Sequence, residues 1–327
     1  MSTEGGTKAV LAALLANLGI ATMKFVAFFL TGASSMLAEG IHSVADSGNQ
    51  VLLLFGGKRA QRAATPEHPF GFGRERYIYS FLVAIVLFSV GGLFALYEAY
   101  HKWHEVHEGK PNELLDGGLW WVAVAVLVGA IIMESFSFRT AIRESNHTRG
   151  KTGWVDFIRR AKAPELPVIL LEDFAALVGL VLALFGVGLS VLTGNGYFDV
   201  IGTAAIGLLL VSVAVVLGVE TKSLLLGESA TPEATRRLRA SLEQTEGVER
   251  VIHMKTLHLG PEELLVAVKI GVASTTSAAD VAHSIDAAER AMREAEPTAT
   301  VIYVEPDIYV AGHHSEPRPA AAETAGH

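Results

Sequence analysis

Glu39, His42, Asp46 and Asn49 recur at steps of three and four in the segment SSMLAEGIHSVADSGNQVLLLFGG. That spacing puts all four on one face of a helix. Zinc and its neighbours accept imidazole nitrogen and carboxylate oxygen, commonly from three or four ligands. His42 and Asp46, at i and i+4, can reach one ion from a single helical turn. A second pair, Glu172-Asp173, opens the apolar run PVILLEDFAALVGLVLALFGVGL, and Asp173 could complete the set. A carboxylate at mid-membrane costs about 2.5–3.5 kcal/mol on insertion scales, so it needs a partner or a task. Glu39 lies nearer the outer end and suits access or helix packing. Asn49 is either a neutral oxygen ligand or a hydrogen-bonding brace. Glu172 sits about 100° around the helix from Asp173. With Asp173 facing His42, Glu172 is expected to turn toward another helix or the cytoplasmic mouth. Metal ligands must be deprotonated, so such a site exchanges metal for protons. His42, with a reference pKa near 6.5, is the group suited to alternate.

These residues require a membrane to matter. The 327-residue chain is 50% hydrophobic and 18% charged, with a mean hydropathy of +0.38, beyond ordinary soluble usage. Six apolar runs approach the roughly 20 residues a span needs: 8–31, 33–57, 77–100, 117–138, 167–192 and 198–220. The first is too long for a signal-peptide core and reads as a span. Lys58, Arg59, Arg62, Arg74 and Arg76 follow span 2, and Arg139, Arg143, Arg149, Lys151, Arg159, Arg160 and Lys162 follow span 4. The positive-inside rule then puts both termini in the cytoplasm of an inner or plasma membrane. In that orientation Asp46 lies about 16 Å and Asn49 about 12 Å from the cytoplasmic end of span 2, and Asp173 about 9 Å from that of span 5. These depths are compatible with one shared ion.

Past Gly227 the pattern becomes that of a small soluble domain, residues 228–311. Thr231-Pro232-Glu233 starts a helix running to about Glu246. Arg250–His258 and Leu264–Val272 read as strands, Ser277 with Asp280 as a capping box opening a helix to about Glu296, and Ala299–Val304 as a third strand. The order αββαβ predicts an α+β, ferredoxin-like sandwich. Residues 312–327 read as a disordered tail. The net charge of −8 comes from this C-terminal region and argues against a nucleic-acid partner. The absence of cysteine excludes disulfides, thiolate metal sites and thiol redox chemistry. Neither a G-x-x-x-x-G-K-[ST] loop nor an HExxH motif occurs, so no enzyme and no organic cofactor is expected.

HSVADSGNQ, HPFGFGRERY and LLEDFAALVGL together resemble the cation diffusion facilitators, in particular the branch containing the mitochondrial-type zinc transporter. The resemblance implies a six-span homodimeric metal exporter with a cytoplasmic αββαβ domain. It matches His42 and Asp46 to the metal pair of span 2 and Asp173 to the aspartate of span 5. Where most members carry His or Asp four residues before that aspartate, this chain has Ile169; Glu172, Asn49 or water would fill the fourth position. His68 is kept in the loop after span 2, but Phe72 stands at the second ligand place, so no loop site is expected. In the soluble domain the ligand places read as apolar, around Val268 and Val304. His253, His258, His283 and Asp307 are left as possible ligands, with an exposed surface position the expected account of the histidines. His101, His104 and His107 have ligand-like spacing in the outer loop but are read as the wet end of span 3 beside Trp103. The expected function is proton-coupled export of Zn²⁺ across a lipid bilayer by alternating access. The alternatives are a Mn²⁺ or Fe²⁺ transporter and a metal-sensing membrane receptor.

Overall fold

The computed structural model describes residues 2–31, 34–109 and 120–310. Side chains of 2–5, 30–31, 34–39 and 41–42 are outside that description, and those of Glu39 and His42 fall among them. The chain divides into two compact units, Met1–Leu226 and a second from Gly227 onward.

The first unit is helical: α1 (Ser2–Thr31), α2 (Ser34–Ala60), α3 (Glu75–His107), α4 (Trp120–Arg149), the short α5 (Trp154–Arg160), α6 (Glu165–Thr193) and α7 (Tyr197–Leu226). Among the described residues, five helices are long and apolar enough to cross a bilayer: α1, α3, α4, α6 and α7. Six were expected. The exception is α2, whose 27 residues give ample length at about 1.5 Å each. Its polar residues, including Ser43, Asp46, Ser47, Asn49 and Gln50, dilute the apolar run. Ser43, Ser47, Asn49 and Gln50 are buried, as a helix must arrange when its polar face meets neighbours instead of lipid.

The long helices pack in a closed ring, α1 on α2, α2 on α3, α3 on α7, α7 on α6, α6 on α4 and α4 back on α1. Outward faces carry exposed apolar side chains such as Phe29, Phe136, Phe185 and Leu208. α3 is interrupted by a π-helical segment, Leu87–Leu93, which inserts extra backbone into the turn. At its end Gly92 lies against α7, and a Cβ there would come 2.6 Å from Val211 Cγ2. α6 ends at Gly194 with φ +67°, a left-handed cap that glycine adopts without strain. Asn195 Oδ1 then accepts from the Tyr197 N–H at 3.0 Å, turning the chain directly into α7.

In the second unit α8 (Pro232–Glu243), β1 (Arg250–Gly260), β2 (Glu263–Gly271), α9 (Ala278–Ala295) and β3 (Ala299–Asp307) follow in the order αββαβ. The sheet order is β1-β2-β3, antiparallel then parallel. The Thr231 hydroxyl accepts from the Ala234 N–H and caps α8, and Ser277 does the same from Asp280 for α9. Leu238 and Leu242 of α8, Met292 of α9 and the alternate residues Val266, Val268 and Ile270 of β2 close one core. This is the period-two burial expected of a half-covered sheet.

α3 continues through His101, His104 and His107 to its polar end, and His107 stacks on Trp103 with ring centroids 5.5 Å apart. One local expectation is corrected here. His258 is buried, with Nδ1 3.3 Å from the Gly260 carbonyl. A carbonyl only accepts, so that contact places a proton on Nδ1. His253 is half-buried and His283 exposed.

Candidate metal site

A cavity of about 170 Å³ lies within the helical ring. Six carboxylates reach its wall: Asp46 from α2, Glu98 from α3, Glu134 from α4, Glu172 and Asp173 from α6, and Asp199 from α7. Lys24 of α1 and Lys102 of α3 line it as well. Glu134, Glu172, Asp173 and Lys24 are each at most 4% exposed. Six carboxylates against two ammonium groups in an apolar bundle form a cation-attracting chamber.

Helical phase decides which neighbour each carboxylate meets. Glu172 Oε1 accepts from Asn49 Nδ2 at 2.9 Å, and Glu172 Oε2 from Gln50 Nε2 at 3.1 Å. Gln50 Oε1 in turn accepts from Asn17 Nδ2 of α1 at 3.4 Å. Asp173 Oδ2 accepts from the Ser137 hydroxyl of α4 at 2.7 Å. The expected orientation is therefore reversed: Glu172 faces α2 and Asp173 faces α4. The 100° step between them was anticipated; the rotation of α6 about its own axis was not. It is fixed by packing: Ile169, one turn earlier on the same face, is fully buried in one cluster with Leu53 of α2 and Val83 of α3.

Asn49 lies behind Glu172 and is absent from the cavity wall. Its amide nitrogen braces Glu172, and its Oδ1 is buried without a hydrogen-bond partner among the described residues. The backbone of α2 carries His42, whose side chain is outside the described residues. Among the described residues, no three His, Cys, Asp or Glu side chains close on a single metal position. The described part of the chamber thus brings Asp46, Glu172 and Asp173 to one space without joining them at one point.

Glu134 and Lys24 are absent from the set expected above. Their signal is the one that picks out Asp46: a charged residue inside a long apolar run, here VAVAVLVGAIIMESF and LGIATMKFVAFFL. Lys24 Nζ donates to the Ser43 hydroxyl of α2 at 3.0 Å. Further along the wall Lys102 of α3 pairs with Asp199 of α7 at 3.0 Å. Arg76 of α3 pairs with Glu165 at the start of α6. His68 lies outside the chamber in an exposed turn closed by reciprocal Thr65–His68 backbone bonds, its ring 4.7 Å from Phe72.

Comparison with known proteins agrees with this architecture. The family described as cation efflux transmembrane domain matches residues 10–226. The mitochondrial proton-coupled zinc antiporter SLC30A9 of Mus musculus is 34% identical over 260 residues, 79% of this chain and 44% of its own length. Metal tolerance protein C4 of Arabidopsis thaliana is 28% identical over 264 residues, 80% of this chain and 56% of the plant protein. An uncharacterized transporter of Methanocaldococcus jannaschii, MJ0449, is 22% identical over 305 residues, 92% and 98% of the two chains. The chain spans less than half the length of its animal relatives. With the family match covering the greater part of the sequence and the long apolar helices it contains, this integral membrane protein belongs to the cation diffusion facilitator family.

Proposed function

We propose that the chain exports a divalent metal ion, Zn²⁺ foremost, in exchange for protons. The observation that carries this reading is the shared chamber: Asp46 of α2 and Asp173 of α6 line one buried space inside an apolar ring. In this proposal His42, Asp46 and Asp173 are the ligands, with α2 as a sixth span. Glu172 tunes the chamber's charge and Asn49 holds Glu172 in place. Relatives named as proton-coupled zinc antiporters support both the ion and the exchange.

The chain's own residues supply the steps. Carboxylates in the chamber draw a dication from one side. The ligands bind it deprotonated, and their reprotonation from the other side releases it. Alternating movement of the helices would expose the chamber to each face in turn. Both termini lie on the cytoplasmic side in this proposal, since the basic residues between α2 and α3 and between α4 and α6 mark that face. The working unit is a homodimer, as in the family.

Asp173→Ala removes the α6 ligand and the acceptor of Ser137. Zinc flux into proteoliposomes at matched protein density should vanish while the variant remains folded. Normal flux would sink the assignment. A second reading, transport of Mn²⁺ or Fe²⁺, draws on the oxygen-rich wall, since affinity order alone rarely sets selectivity. Competition among the three ions in the same assay separates the two.

A further inference from the structure

Lys24 and Glu134 belong to neither of the helices that supply the proposed ligands, yet both are buried in the same chamber. Glu134 is 2% exposed and lines the cavity. A buried carboxyl group is either neutralised by a proton or offset by a nearby cation. Lys24 is 4% exposed, and its ammonium reaches Ser43, three residues before Asp46 on α2. Lys24 lines the same wall as Glu134, Asp46, Glu172 and Asp173. Besides Lys102, which pairs with Asp199, the chamber therefore holds a cation carried by α1.

We propose that Lys24 is a resident counter-cation of the chamber, balancing Glu134 and its neighbours when no metal is present and opposing the dication when it arrives. This rests on the proposed transport function and adds residues from two further helices to it. An ammonium fixed near a metal site repels the metal. It lowers affinity and favours release, as an exporter that must discharge its cargo requires. Repulsion between like charges is only partly screened in such a chamber, so an affinity change of about tenfold is expected and measurable.

The test uses the full chain in detergent and Zn²⁺ alone, titrated at one fixed pH and followed by proteoliposome flux. Lys24→Gln keeps a donor for Ser43 and removes the charge. It should bind Zn²⁺ about tenfold more tightly and turn over more slowly, with KM and kcat falling together. Lys24→Arg keeps the charge and should stay close to the parent affinity. Adding Glu134→Gln to Lys24→Gln should cancel most of the tightening. A merely structural lysine would weaken binding when replaced, so unchanged or weaker affinity in a folded Lys24→Gln variant overturns the proposal. Should that variant not fold, Lys24→Met takes its place with the same two outcomes. Asp173→Ala, run in parallel, separates the failures. If it still binds and transports zinc, the site assignment falls; if it is inactive while Lys24→Gln matches the parent, the counter-cation alone falls.

Discussion

Swapping the partners Asn49 and Glu172 tests the central polar contact between α2 and α6. Asn49 Nδ2 donates to Glu172 Oε1 at 2.9 Å. A hydrogen bond to a charged group contributes about 1.5–3 kcal/mol. Asn49→Ala loses that bond but also removes an amide oxygen buried without a partner, recovering about 1 kcal/mol. The net cost should be about 0.5–2 kcal/mol. Asn49→Asp is worse, because it sets two carboxylate oxygens at the same short separation. Coulomb's law at a dielectric near 20 gives roughly 6 kcal/mol there, reduced to about 3 once the pair shares a proton. Glu172→Gln costs little, since Asn49 can turn its free oxygen toward the introduced amide. The double change Asn49→Asp with Glu172→Gln exchanges donor and acceptor and should return to within about 1 kcal/mol of the parent. Unfolding free energies from SDS titration followed by helicity give all four corners of the cycle. If the double variant is as unstable as Asn49→Asp alone, the contact does not join these helices as described. Zinc flux adds a second readout: Glu172→Gln should transport with weakened affinity, and a variant as inactive as Asp173→Ala would make Glu172 a ligand.

In the second unit the places around Val268 and Val304 are apolar and His258 is buried against Gly260. A fragment from residue 228 onward should therefore show no tight stoichiometric Zn²⁺ binding by calorimetry; tight binding would mean that His253, His258 or His283 is a ligand. Glu263 has its carboxyl pKa raised from an ordinary 4.5, by burial first and Glu262 second. A raised acid binds more protons folded than unfolded, so its contribution to stability falls as pH climbs above 4.5. Glu263→Gln should stabilise that unit at pH 7, and the gain should disappear below pH 4.5, as denaturant titration at the two pH values would show. A destabilised variant at pH 7 contradicts the assigned cause.

Five of the six apolar runs coincide with helices long and apolar enough to span a bilayer, because continuous hydrophobicity is a local property. Turn chemistry is local too, and Thr231, Ser277 and Gly194 mark the boundaries where they stand. What the chain does not disclose is rotational phase. Glu172 and Asp173 are separated by a known angle, but which meets α2 depends on how Val168, Ile169 and Leu170 pack. The π-helical segment in α3 is likewise a tertiary feature, announced only by Gly91-Gly92. Glu134 and Lys24 were legible by the rule that singles out Asp46. They are easy to pass over because each stands alone in its helix without a second ligand type at i+3 or i+4. The burial of His258 depends on its backbone partner two residues on, which a surface-histidine rule does not capture.

Ile169 also bears on how one branch of the family could become another. Position 169, where the resemblance implies a ligand in most members, is here an isoleucine with no exposed surface, sealed in a hydrophobic cluster one turn before Glu172 and Asp173. Placing an imidazole there would strand a polar ring at a cost of about 1–3 kcal/mol, before any metal could reward it. A single replacement at this position therefore loses stability unless the imidazole finds a partner one turn on, at Glu172 or Asp173. The surrounding leucines and valines must make room first, or the bundle must turn α6 by part of a step. In an evolutionary lineage or a laboratory selection, Ile169 should consequently change only alongside its packing neighbours.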